Sequence, residues 1–227
     1  MSGLIARLIT PRRTCCKASG GVLFYLTLCR MDEPRDKRVV AFVDGQNLFY
    51  AAKKAFGYDF PNYDSLKLVQ LVCKQRTRWN LSKLYFYTGL PSPTRDEPRH
   101  RFWEAKLGAM GKHSDLVQTF SRPLVYRGGV AQEKGIDVRL AIDAVRLAHE
   151  TAYDVALIFS QDQDFTEVAV EVRRIAATYD RWIKVACAFP VSPVYLNKRG
   201  IDKTDWIGID KTLYDQAVDP VNYRRSQ

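Results

Sequence analysis

From residue 38 onward the chain alternates between two kinds of apolar spacing. Val39–Val43 is an unbroken apolar run, the pattern of a parallel strand covered on both faces. Helical spacing follows from Asn47 to Phe56 and again from Ser65 to Cys73. Leu84–Thr88 reads as a second strand, Pro91–Pro98 as a proline-punctuated loop and Arg101–Met110 as a helix. Val117–Phe120 and Leu124–Tyr126 are short strand candidates ahead of a Gly128–Gly129 turn. Ile136–His149 is a strong helix, Val155–Phe159 a third buried strand, Phe165–Ala176 a helix and Ile183–Phe189 a fourth buried strand. Strands alternating with helices predict an α/β fold, a three-layer αβα sandwich around a mainly parallel central sheet. The pattern places one domain at 34–190 and a C-terminal extension packing on it at 191–227. The pentapeptide GIDKT occurs there twice, from Gly200 and from Gly208, and reads as two similar caps or turns.

Charge changes this picture less than its total suggests. The 227 residues carry 35 basic and 25 acidic side chains, a net charge of +10. Half of that excess comes from residues 1–30, where Arg7, Arg12, Arg13, Lys17 and Arg30 face no acid. Residues 1–33 therefore read as a basic leader outside the fold: a disordered arm, a transit peptide, or sequence ahead of a start at Met31. The apolar stretch Val22–Cys29 is far shorter than the ~20 residues that span a bilayer, so no membrane anchor is expected. Beyond the leader only Cys73 and Cys187 remain, in no CxxC pair, and the histidines are scattered. This usage suits a reducing, cytoplasmic interior and leaves oxygen as the donor for any metal.

The acids are arranged more informatively. In an open parallel sheet, ligands bind at the carboxyl ends of the strands near a change in strand order. The first strand ends in Asp44, Gly45, Gln46 and Asn47, and the third in Ser160, Gln161, Asp162, Gln163 and Asp164. Capping of the next helix is the ordinary role for Asp44 and for Asp162. At about 100° per residue, Asp137 shares the direction of Leu140, Ala141, Ala144 and Ala148, and so is expected to point toward the core at the sheet's edge. Asp143 falls in a stripe with Arg139 and Arg146, as a solvated ion pair. Gathering Asp44, Asp137, Asp162 and Asp164 in one cleft costs about 4 kcal/mol per like-charge pair at 4 Å and an effective dielectric near 20. Such a cluster calls for a cation, and carboxylates without His or Cys select Mg²⁺ or Mn²⁺. Asn47 is placed to orient an acid or a phosphate oxygen.

The segments VVAFVDGQNLFY, EKGIDVRLAIDAVRLA and DVALIFSQDQDF, in this order, resemble the NYN domain family, PIN-like ribonucleases related to the LabA group. The resemblance covers about residues 37–190. It implies a PIN-like αβα sandwich, a divalent-metal acidic centre and RNA as substrate. By motif, Asp44 and Asn47 match the first-strand signature, Asp137 the K-G-x-D signature, and Asp162 and Asp164 the S-x-D-x-D-F signature, with Ser160 as the small hydroxyl in support. Gln161 and Gln163 stand where many such sequences carry small residues.

The leading expectation is a metal-dependent endoribonuclease with Asp44, Asn47, Asp137, Asp162 and Asp164 at its centre. The alternatives are a catalytically silent RNA-binding or regulatory module on the same fold, and a metal phosphohydrolase of small substrates. Backbone phosphates would be met by Lys134, Arg127, Arg139, Arg95 and Arg99. Arg101 of the proline loop is a further candidate. Tyr85, Tyr87, Phe102, Trp103 and Tyr126 are placed either to stack bases or, as aromatics in strands and helices usually do, to fill the core. Homo-oligomerisation is left open.

Overall fold

The computed structural model describes residues 31–224, and the leader lies outside them apart from residues 31–33. Eight strands and six α-helices follow in chain order: β1 (Lys37–Asp44), α1 (Gly45–Phe56), α2 (Ser65–Lys74), β2 (Trp79–Leu90), α3 (Glu97–Gly111), β3 (Val117–Pro123), β4 (Val125–Arg127), β5 (Val130–Gln132), α4 (Ile136–His149), β6 (Val155–Phe159), α5 (Thr166–Thr178), β7 (Lys184–Pro190), β8 (Asp205–Ile209) and α6 (Lys211–Gln216). A single 3₁₀ turn, Gln163–Phe165, leads into α5.

Six strands form one sheet in the order β3-β2-β1-β6-β7-β8, and every neighbouring pair is parallel. The chain winds outward from β1 through β2 to β3, returns to the other side of β1 as β6, and winds outward again. The change of direction therefore falls between β1 and β6, and the crevice it opens lies at their carboxyl ends. β8 comes from the segment beyond residue 190 and forms the sheet's edge beside β7.

Period-two alternation divides the buried side chains into two cores, one on each face of the sheet. Val39, Ala41 and Val43 of β1 pack with Leu48, Leu68, Val72 and Trp103 from α1, α2 and α3. Val40 and Phe42 face the other way, onto Leu140, Ala144, Val168 and Val172 of α4 and α5. With both faces covered, the central strands need apolar residues at every position, which is why β1 and β6 read as continuous runs.

Some elements differ from the sequence pattern. α3 begins four residues before Arg101, with Pro98 in its first turn, where a missing N–H breaks no helical hydrogen bond. β4 and β5 form an antiparallel hairpin around Gly128–Gly129, and β5 is exposed throughout, so no alternation marks it. The GIDKT copies have different roles: Asp210 caps α6 by accepting from Leu213 N at 2.8 Å, while Asp202 sits in a turn and pairs with Arg199. On α4 the buried arc is Ile136, Leu140, Asp143, Ala144, Leu147 and Ala148. The helix is thus turned about its axis from the orientation its alanines suggest, toward Leu140 and Leu147, because the larger side chains bury more apolar area. Asp137 is left exposed on the rim of this arc, whereas Asp143 is buried rather than solvated.

Candidate functional site

Asp44 ends β1 with only 9% of its surface exposed, at the floor of the crevice. It caps α1, accepting from Asn47 N at 3.0 Å on one oxygen, and accepts from Ser160 Oγ at 3.3 Å on the other. Gly45 lets α1 start this close to β2, since a Cβ there would lie 2.6 Å from Phe86 Cζ and 3.0 Å from Tyr87 O. Directly after β6, Ser160 links two acids: its Oγ also accepts from Asp162 N at 3.2 Å. Gln161 N donates to Asn47 Oδ1 at 3.0 Å, which fixes the Asn47 amide with its Nδ2 free of protein acceptors among the described residues. Asp162 accepts from Asp164 N at 3.0 Å, so it caps the 3₁₀ turn as well as facing Asp44. Asp164 is exposed.

The acid that sequence reasoning missed is Glu133. It follows the exposed hairpin, is mostly buried, and accepts a hydrogen bond from Gly89 N of β2. A side chain at residue 89 would put its Cβ against Leu124 Cδ2 and 2.8 Å from Glu133 Cγ, so the glycine leaves the room that Leu124 and the glutamate fill. With its amide turned to satisfy both groups, Gln46 Nε2 donates to Glu133 Oε1 at 3.1 Å and Oε2 at 2.7 Å. The only signal in the sequence was its place directly before the K-G-x-D segment, because the partners lie on β2 and α1.

Charge marks these acids as a group. Burial, chiefly, pushes the Asp44 carboxyl up to about 6, against its hydrogen bonds and with repulsion from Asp162 adding to the rise. Burial likewise pushes Glu133 up to about 7, helped by Asp44 and by Asp137. Asp44 is thus raised by Asp162, and Glu133 by both Asp44 and Asp137, across one crevice. Among the described residues, however, no three His, Cys, Asp or Glu side chains already stand close enough to hold a metal ion. The donor chemistry, all hard oxygen and short of positive charge, fits Mg²⁺ or Mn²⁺, provided the exposed Asp137 and the half-buried Asp162 turn inward.

Asp143 is separate from this group. It sits on the buried face of α4, accepting from Tyr87 Oη at 3.0 Å, Arg139 Nε at 2.8 Å and Arg146 Nη2 at 3.2 Å. Although burial opposes it, these donors hold its carboxyl below the usual range. Arg139 is accordingly committed to Asp143, and Arg99 pairs with Asp96 at 3.5 Å. Arg127 and Lys134 are exposed with no carboxylate partner among the described residues, as is Arg95, which lies 4.8 Å over the Tyr126 ring. Arg122, which the sequence did not single out, is exposed and reaches the first turn of α4, its Nη1 3.0 Å from where a Gly135 Cβ would stand. Of the five aromatics singled out, Tyr87, Phe102 and Trp103 are buried in the core, and Tyr85 stacks on Phe42. Among the described residues no helix is long and apolar enough to cross a membrane.

Comparison with known proteins agrees with this architecture. The chain is 28% identical over 145 residues to the low amplitude and bright protein LabA of Synechococcus elongatus, an alignment covering 64% of this chain and 72% of that one. A crystal structure of a protein of unknown function from Vibrio parahaemolyticus superposes with a TM-score of 0.50 at 21% identity, covering 79% of this chain and 97% of the other, and shares the fold. The profile of the NYN domain, a nuclease-like family, matches residues 38–179, which hold β1, β6 and every acid of the crevice. With most of its length inside that match, the chain belongs to the NYN domain family.

Proposed function

We propose that this protein is a metal-dependent endoribonuclease that hydrolyses RNA phosphodiester bonds in the cytoplasm, at the crevice between β1 and β6. The observation that carries the reading is the pair of acids, Asp44 buried and Glu133 mostly so, held well above their ordinary range beside Asp137 and Asp162. Mg²⁺ or Mn²⁺ would be held by Asp44, Glu133, Asp137 and Asp162, with Asp164 at the rim. The ion supplies charge neutralisation and Lewis acidity toward a phosphodiester and water. Ser160 keeps Asp44 and Asp162 oriented, and Asn47 offers its Nδ2 to a phosphate oxygen. Arg95, Arg122, Arg127 and Lys134 are the cations free to position the RNA backbone.

A second reading, a silent RNA-binding module, is favoured by the lack of three converged metal ligands among the described residues. The full-length protein, offered labelled unpaired RNA, structured RNA and DNA, separates the two. Cleavage in Mg²⁺ or Mn²⁺ that is abolished by EDTA and by Asp162→Asn or Glu133→Gln supports the nuclease. RNA binding without cleavage supports the module. Cleavage that persists in both variants defeats the assignment of these acids.

A further inference from the structure

Gln161 and Gln163 alternate with the acids that follow β6, and both amides reach one segment of the loop between β7 and β8. Gln161 Nε2 donates to Asn197 O at 3.1 Å and Arg199 O at 2.9 Å, and its Oε1 accepts from Tyr195 Oη at 3.1 Å. Gln163 Nε2 donates to Gly200 O at 2.9 Å and Gln161 O at 3.2 Å, and its Oε1 accepts from Asp202 N at 3.3 Å. Both donors and the acceptor of each amide are thus used. The backbone N–H of Gln161 holds Asn47 at the same time, so one residue fixes a group of the crevice and the loop beside it.

The fastened loop presents little that the fold itself needs. Val194 is 78% exposed and Leu196 92% exposed. Lys198 is exposed and has no carboxylate partner among the described residues. Ordering a loop loses conformational entropy that these tip residues do not recover by burial.

We propose that Gln161 and Gln163 are positioning residues that hold residues 194–198 as a lip on the crevice, and that Leu196 and Lys198 grip an unpaired nucleotide of the substrate strand. The aliphatic side chain meets the face of the base and the ammonium meets a phosphate. A duplex keeps its base faces stacked and offers chiefly sugar and phosphate, so the lip favours unpaired RNA. This inference rests on RNA being the substrate.

Two measurements on the full-length protein test it. Trypsin reports the clamp, by cleavage after Lys198 and Arg199. Gln161→Leu with Gln163→Leu removes these hydrogen bonds without adding charge, and is expected to speed this cleavage about tenfold while the domain keeps its far-ultraviolet circular dichroism and a cooperative melt. Fluorescence anisotropy in Ca²⁺ then compares a short unpaired RNA with its duplex. Both that double variant and Val194→Ser with Leu196→Ser are expected to weaken binding of the unpaired strand about fivefold, with less than about a twofold effect on the duplex. An unchanged trypsin rate overturns the clamp. An unchanged ratio of unpaired to duplex affinity in the serine variant overturns the lip while leaving wild-type RNA binding intact. Failure of the wild type to bind either RNA defeats this inference together with the reading on which it rests.

Discussion

Asp44 and Glu133 are the residues at which structure and solution behaviour connect most directly. Their carboxyls stand at about 6 and about 7, above ordinary values of 3.8 and 4.5. A raised carboxyl stays protonated in the folded chain where the unfolded chain has already lost the proton. The stability these groups lend is complete below about 4 and is lost as pH rises to about 7. Metal-free protein should therefore melt lower at pH 7.5 than at pH 5, as followed by calorimetry. Added Mg²⁺ should raise the melting temperature more at the higher pH, where both groups are charged. Asp143, and Asp154 just before β6, which accepts from Arg38 N at 2.9 Å and Arg38 Nη2 at 2.8 Å, work in the opposite sense: their depressed carboxyls lend stability that is lost only as pH falls below about 3.8. Asp143→Asn removes the carboxylate that accepts from Tyr87, Arg139 and Arg146 and, because the two arginines it leaves are partly exposed, should cost about 1.5 kcal/mol in urea unfolding. A loss within 0.5 kcal/mol, the usual spread for surface changes, would show that the ion pair behaves as a solvated one.

At the scale of elements, legibility in sequence followed the range of the interaction. β1 and β6 stand out because each is covered on both faces, and the acids ending them follow from strand direction. Glu133 could not be read in the same way, since its burial depends on Gly89, 44 residues earlier on β2. Asp143 was misplaced for a related reason: one helical turn predicts its ion pairs, but its burial depends on β2, from which Tyr87 Oη reaches it. The hairpin β4–β5 is held by Tyr126, whose Oη accepts from Ser92 N at 3.1 Å beneath Arg95. Tyr126→Ala should speed amide exchange in Val125–Gln132 with little change in global unfolding, because local opening of an exposed hairpin is decoupled from the core. Gly89→Ala should displace Glu133 and weaken Mg²⁺ binding, measured by titration calorimetry, without touching Asp44.

For the whole molecule, net charge says less about a nucleic acid than the placement of unpaired cations does. Arg95, Arg122, Arg127 and Lys134 lie on the hairpin side of the crevice or on the segments leading to it, and among the described residues none has a carboxylate partner. Four phosphate contacts predict that the logarithm of the affinity for unpaired RNA falls with the logarithm of salt concentration at a slope of about −3. A slope near zero would remove these residues from the binding surface.

The sheet order also has a consequence in time. Asp44 and Ser160 meet only across the β1–β6 junction, 116 residues apart in the chain. At about 5–20 residues per second of synthesis, the serine is made some 6 to 23 s after the aspartate. A nascent chain thus carries Asp44 for that time before any crevice exists, and the crevice is assembled only when the second half of the sheet has docked on the first.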